Sequence, residues 1–478
     1  MYEAVIGLEV HVHLNTRTKA FCGCSTEFGS EPNSQTCPVC LGFPGSLPVL
    51  NRVALEYAVK VGLALNCRVQ EYTKFDRKNY FYPDLPKNYQ ISQFDLPVSL
   101  AGFLDIGPEE NVKRVRIRRV HLEEDAGKLI HKDEMSLVDF NRAGIPLLEI
   151  VSEPDMNSPQ EAYEYLTALK SIIEYLEVSD CDMEKGSLRC DANISLRERG
   201  TSGLGVKTEL KNMNSFKAVK DALTFEIERQ ARMLNNGETL LQETRLWDPK
   251  GLQTVPMRTK EEAMDYRYFP EPDLPPFMIS REKIEDIKKG IPELPKEKMI
   301  RFIKEYPGIS EYEARILVSN KSCASYAEKL FKEWPDRNKK PVANWLIGPL
   351  AALAAANNRE IADTNITASN LLELIKLVEK EQVISNLTGK SVLEEMFSTG
   401  KPASAIVKEK NLAQVSDESA LEEVIAGTIK ENPNSVEAFR SGKENAVMFL
   451  VGQVMKRSGG KANPKVVQDI LRRRLKDA

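Results

Sequence analysis

Residues 2–16, YEAVIGLEVHVHLNT, alternate without a break: Ile6, Leu8, Val10, Val12 and Leu14 fall on one side, and Glu9, His11 and His13 on the other. Period-two alternation marks a strand with one buried face. It sets the carboxylate and the imidazoles in a row, about 7 Å apart per two-residue step. Residues 186–197, GSLRCDANISLR, repeat the pattern, with Ser187, Arg189, Asp191, Asn193 and Arg197 opposed to Leu188, Cys190, Ala192, Ile194 and Leu196. GVKTELKN follows and puts Lys207, Glu209 and Lys211 on one face. Strands that come in runs, with no strand-helix-strand rhythm, predict an α+β fold with antiparallel pairing rather than a doubly wound sheet.

Strand patterns dominate up to about residue 293, interrupted by one long helix in which Ser215 caps a face made of Phe216, Val219, Leu223 and Ile227. The Pro-rich stretches FPEPDLPPF (269–277) and IPELP (291–295) close this region. Helical spacing takes over at about 294–400, as in TASNLLELIKLVEK, where Leu371, Leu374, Ile375 and Val378 align behind a Thr367 cap. STGKPAS (398–404) reads as a linker. Three short amphipathic helices are expected in the tail, 401–478: one on Leu421, Val424, Ile425 and Thr428, one on Val447, Leu450, Val451 and Val454 stopped by Gly459 and Gly460, and one opened by Asn463 and Pro464.

With 478 residues, 66 Lys plus Arg and 70 Asp plus Glu, the net charge of -4 excludes a uniformly basic nucleic-acid coat and leaves room only for a regional one. The final 28 residues are that region: Lys456, Arg457, Lys461, Lys465, Arg472, Arg473, Arg474 and Lys476 stand against only Asp469 and Asp477. A solvated helix face and an RNA-binding surface both fit it. No apolar run reaches the roughly 18 residues of a membrane span, and the first residues lack a secretory signal. A cytoplasmic chain without membrane contact is expected.

Glu9 and His11 have the spacing to share a metal ion, although an exposed polar sheet face has the same look. The strands around Asp191 and Glu209 carry both acids and bases, the combination phosphoryl transfer requires, and a surface laced with weak ion pairs fits equally well. In KRVRIRRVHLEEDAGK (113–128), Arg114, Arg116 and Arg118 alternate against Val115 and Ile117, and then Val120 and Leu122 break the parity. A bulge or strand end near Arg118 is implied, which leaves open whether Glu123 or Glu124 faces the same side as Glu9. The segment 74–95 mixes Arg77, Lys78 and Lys87 with Tyr80, Phe81, Tyr82 and Tyr89. That mixture suits an unpaired RNA end, as it suits a Pro turn anchored to a core.

Cys22-Gly-Cys24 and Cys37-Pro-Val-Cys40 form two close pairs separated by twelve residues, the spacing of a closed four-thiolate zinc site of structural type. There is no Walker P-loop, because TGKS at 388–391 has Ile384 where the first Gly belongs. Any nucleotide must be held by a metal and a charged sheet. Four His residues in strand or turn contexts also make a Cys-His amidotransferase triad hard to build, so ammonia, if used, comes from another chain.

VDFNRAGIPLLEIVSEPD (138–155), EEDAGK (123–128), FDRKNYFYPD (75–84), GSLRCDANIS (186–195), ELKNMNSF (209–216) and DYRYFPEPDLPP (265–276) closely resemble the GatB/GatE family, the B subunits of the glutamyl/aspartyl-tRNA amidotransferase. The resemblance covers essentially the whole chain. It implies a glutamine synthetase/guanido-kinase-like cradle at 1–293, a helical domain at 294–400 and a small three-helix, tRNA-binding tail. It also implies an ATP-dependent carbon-nitrogen ligase that phosphorylates the side-chain carboxylate of Glu-tRNA(Gln) or Asp-tRNA(Asn). Ammonia from glutamine, released by the amidase that forms the A subunit, would then displace the phosphate, with a small C subunit to complete the heterotrimer. The family's Mg²⁺ site maps onto Glu9, His11 and Glu124, with Asp191 and Glu209 as further acids. Arg189 and Lys207 are candidate phosphate contacts, and Lys78, Tyr82, Lys87, Arg472, Arg473 and Arg474 candidate tRNA contacts. A zinc-stabilised protein that only positions tRNA is the alternative function.

Overall fold

The structure, a computed structural model, describes all residues except 1, 133, 260–265, 414–417, 442, 459–461 and 478; for 258, 259, 418–420, 476 and 477 only the backbone is described. The chain separates into two compact units, Met1–Pro295 and Lys296–Ala478. The first is built on a nine-stranded sheet. In chain order its strands are β1 (Tyr2–His13), β2 (Arg68–Val69), β3 (Ser99–Ile106), β4 (Lys113–Glu124), β5 (Pro146–Ser152), β6 (Leu188–Glu198), β7 (Thr208–Lys211), β8 (Glu243–Asp248) and β9 (Gln253–Thr259). They lie side by side as β9-β8-β7-β6-β1-β5-β4-β3-β2. All neighbours are antiparallel except β7 and β8.

The alternation of β1 decides which face is the core. Ile6, Leu8, Val10 and Val12 are fully buried, joined by Val120 and Leu122 of β4, Leu148 and Ile150 of β5, and Ala192 and Ile194 of β6. Helices α1 (Arg52–Ala64), α2 (Pro159–Tyr175) and α3 (Phe216–Asn235) contribute Ala58, Leu166, Leu169, Val219 and Leu223 to this same core. Ser215 caps α3 as its sequence implies, accepting from the Ala218 amide. The other two helices run through a region whose pattern reads as strand-rich, and each carries its own start signal. Asn51 accepts from the Val53 and Ala54 amides, and Ser158 accepts from Glu161 ahead of Pro159 at the first turn. A glycine at 62 lets α1 lie close to β3, since a Cβ there would collide with Ser99.

The second unit is helical among its described residues. Thr367 caps Ala368–Ile375, accepting from the Asn370 amide, and Leu371, Leu374 and Ile375 are buried. The expected linker at 398–404 is only in part a linker. Gly400, at φ 70°, ends the helix Asn386–Thr399, and a new helix, Ala403–Glu409, starts at once and buries Ala403, Ile406 and Val407. Among its described residues the tail, 401–478, holds five helices rather than three: Ala403–Glu409, Glu418–Glu431, Pro433–Arg440, Ala446–Arg457 and Pro464–Asp477. The unexpected ones are Ala403–Glu409, at the expected linker, and Pro433–Arg440, which buries none of its residues and so leaves a weak apolar pattern. Leu421, Ile425, Val447, Leu450, Val454, Ile470 and Leu471 form the tail's own apolar cluster. The Gly459-Gly460 stop and Lys461 lie outside the described residues, as do the side chains of Lys476 and Asp477.

Candidate active site

With one face of the sheet given to the core, the opposite face of its centre collects polar side chains. Strand register aligns Arg189 of β6, His11 of β1, Glu149 of β5 and His121 of β4 in one row across four strands. The His11 Nε2 atom lies 3.5 Å from Glu149 and 3.9 Å from Glu123, and His121 Nε2 lies 3.2 Å from Glu149 and 3.5 Å from Glu123. Glu123, Glu149 and His121 are buried. One ligand atom from each of His11, Glu123 and Glu149 falls within 4.8 Å of the others, a spacing that one metal ion could occupy.

Burial opposes charge on all these groups, and their mutual attraction outweighs it. His121 and His11 hold the Glu149 carboxyl well below its usual range, and Glu149 with Glu123 pushes His121 up to about 9. The Lys78 ammonium is likewise opposed by burial and held charged by Glu123. Two nitrogens beside the acids, His121 Nδ1 and Arg119 Nε, are buried with no hydrogen-bond partner. Orphaned polar atoms are uncommon in finished interiors and mark a place where a bound group completes the structure. Two carboxylates and an imidazole form a donor set for a divalent cation that keeps water or substrate oxygens in its other positions.

The expected trio of Glu9, His11 and Glu124 does not assemble. Strand β4 carries the bulge that its parity break implies: Val151 pairs with Arg119 and Ser152 with Ile117, leaving Arg118 extra. Beyond the bulge Val120 and Leu122 return to the core, so Arg119, His121 and Glu123 take the His11 side and Glu124 the other. Glu124 is bound to Lys87 Nζ at 2.5 Å and accepts from the Ile91 amide at 2.9 Å. It lines a separate cavity of about 200 Å³ with Lys19, Cys22, Cys40, Lys87 and Tyr89.

Glu9 remains on the site face one row away, opposite Asp191, and accepts from Asn193 Nδ2 at 2.9 Å. Lys211 bridges Asp191 and Glu209. These acids thus flank the His11 row without joining its metal-type group. Arg189 is committed to Asp125, 2.8 Å away, which also pairs with His13 at 2.6 Å. Lys207 is exposed, just ahead of β7.

The four cysteines do converge: Cys22, Cys24, Cys37 and Cys40 place their sulfurs within 4.8 Å of one another. The Cys37 amide donates to Cys40 Sγ at 3.2 Å, and Lys19 Nζ lies 3.7 Å from the same sulfur. A hydrogen bond from Cys22 holds the Cys40 thiol low, at about 4. Of the candidate RNA contacts, Lys78 sits over Tyr266 at 5.0 Å beside the acids, Tyr82 is exposed, and Lys87 is spent on Glu124. Arg472, Arg473 and Arg474 are exposed on the last helix, Arg474 2.8 Å from Glu422.

Comparison with known proteins agrees along nearly the whole chain. The GatB/GatE catalytic domain matches residues 4–285, and a second domain described as the GatB domain matches 325–475. The chain belongs to the GatB/GatE family. It is 56% identical over 476 residues to the B subunit of the aspartyl/glutamyl-tRNA(Asn/Gln) amidotransferase of Caldanaerobacter subterraneus, covering 99% of each chain. The B subunits of the same enzyme from Thermodesulfovibrio yellowstonii and Persephonella marina are 53% and 52% identical over essentially full length.

Within this family chain, Glu149 is the functional candidate that the sequence reading passes over. Its signal is local: in IPLLEIV it is the lone charge of an apolar strand, and a buried charge needs partners. What cannot be read locally is that those partners are His11 and His121.

Proposed function

We propose that this chain is the B subunit of a tRNA-dependent amidotransferase, and that its open sheet face carries the kinase and amide-forming steps. ATP would phosphorylate the side-chain carboxylate of Glu or Asp misattached to tRNA, and ammonia supplied by a partner amidase would displace the phosphate. The observation that carries this reading is the convergence of His11, Glu123 and Glu149 on one point, flanked by Lys78 and Arg119, in a chain of this family.

A side-chain carboxylate repels nucleophiles and has no adequate leaving group, so it must be activated before an amine can attack. A divalent cation, magnesium in this reading, would be held by His11, Glu123 and Glu149 and would offset charge on the phosphate oxygens. Lys78, kept charged by Glu123, stands ready to orient an anionic substrate. Glu9, Asp191 and Glu209 would serve the nucleotide side of the site in this reading, with Asn193 and Lys211 fixing their orientation. The Cys quartet, proposed as a structural zinc site, would brace the loop beside the cavity that Cys22 and Cys40 line with Lys87 and Glu124.

The test is ADP release by the chain reconstituted with its amidase and small partner chains. We expect release to be stimulated by Glu-tRNA(Gln), Asp-tRNA(Asn) or both, and the pattern assigns the substrate. No stimulation by either leaves only the non-catalytic, tRNA-positioning role. For the tail, the buried helix Ala403–Glu409 moves the sensible cut to after about residue 413. Removal of the tail should weaken tRNA binding at matched salt and flatten its salt dependence, because the exposed arginines are gone. Unchanged affinity in filter binding would reject the tail as a tRNA contact.

A further inference from the structure

Four aromatic rings contact one another in series beside the acidic site. Tyr80 meets Tyr266 edge-on at 5.8 Å, Tyr266 meets Tyr268 edge-on at 6.1 Å, and Tyr268 stacks on Phe94 at 4.3 Å with the planes only 11° apart. Polar groups attend the series: Lys78 Nζ lies 5.0 Å from the Tyr266 ring, and the Tyr268 hydroxyl stands in the field of Glu123 and Glu149. The Phe94 end is open, for that ring has one face against Tyr268 and remains 50% exposed.

Phe94 is nonetheless held firmly. Its amide donates to Asp76 Oδ2 at 3.0 Å, and Asp76 is itself buried and paired with Lys74. Stacked on Tyr268 and half exposed, the phenyl ring keeps surface free for a further stacked ring. An aromatic ring presented in this way is a stacking platform, since every nucleobase offers a π face and stacking needs no particular base.

We infer that Phe94, backed by Tyr268, stacks the unpaired 3′-terminal base of the aminoacylated tRNA and so sets how far its amino acid reaches toward Glu123 and Glu149. This rests on the function proposed above. A tethered substrate must run from buried acids to bulk solvent, and the Tyr268–Phe94 stack joins the field of Glu123 and Glu149 to an exposed ring, which favours the tRNA end over the adenine of ATP.

The test uses the reconstituted complex with Phe94→Leu, which keeps bulk and loses the ring, and Phe94→Tyr, which keeps the ring. Phe94→Leu should raise the KM for aminoacyl-tRNA about tenfold, and Phe94→Tyr should restore it, with the KM for ATP unmoved in both. In parallel, tRNA carrying 2-aminopurine as its terminal base should be quenched on binding to the parent and Phe94→Tyr complexes and not to Phe94→Leu. A rise in the KM for ATP alone would assign the platform to the nucleotide, and an unchanged KM for tRNA with unchanged quenching would remove it altogether; either overturns the inference. The quenching readout needs no turnover, so it judges the platform even if tRNA-stimulated ADP release is absent and the proposed function itself fails.

Discussion

Glu149→Gln should lower tRNA-dependent ADP release by the assembled complex by about 10²- to 10³-fold, the loss typical of removing one preorganised electrostatic contact from a transition state. The substitution keeps the size of the side chain and an acceptor oxygen toward His121, 3.2 Å away, and removes only the charge that His11 and His121 share. Glu123→Gln should behave alike, because both acids complete one donor set. Circular dichroism should stay that of the parent while the melting temperature falls, because a buried charge loses its partner, so ADP release measured well below that temperature separates lost chemistry from lost fold. A variant that folds and releases ADP at the parent rate would take the metal site away from this face.

The second large effect is on the thiolate cluster. Purified protein should contain about one equivalent of zinc, and Cys37→Ser or Cys40→Ser should release it, since a closed site of this kind binds its metal with the free energy that orders the loop. The consequences should be local. Residues 16–51 carry little regular structure of their own, so loss of the metal should expose the loop to limited proteolysis while the sheet core still melts cooperatively. Less than about half an equivalent of zinc in the parent protein would refute the closed site. Metal analysis with a chelator series and peptide mapping after brief protease treatment read out the two halves of this expectation.

How far the site can be read in advance depends on how local its determinants are. Cys22, Cys24, Cys37 and Cys40 lie within one short stretch, and their spacing alone announces the cluster. The β1 alternation likewise identifies the face bearing Glu9 and His11, because the period of a strand is a property of its own residues. Ser215 and Thr367 work the same way, each satisfying amides within its own first turn. Asn51 and Ser158 do so too, and the helices they start are legible by the same rule, though the strand-rich composition around them points elsewhere.

The choice between Glu123 and Glu124 is of another kind. It turns on one extra residue at Arg118, and the pattern shows that parity breaks there without showing which acid the break delivers to His11. Glu149 enters the site only because β5 sits between β1 and β4 in a register that sets it between His11 and His121. Residues more than a hundred positions apart must be paired before that adjacency exists.

The sequence by itself determined the antiparallel α+β class, the cysteine cluster, the helical second unit and the polar face of the first strand, since each follows from spacing within a few turns or strand repeats. Only the tertiary structure decided which carboxylates meet His11 and which ring stands open beside them, because strand order and register are set by burial summed over the whole sheet, and no short segment contains that sum.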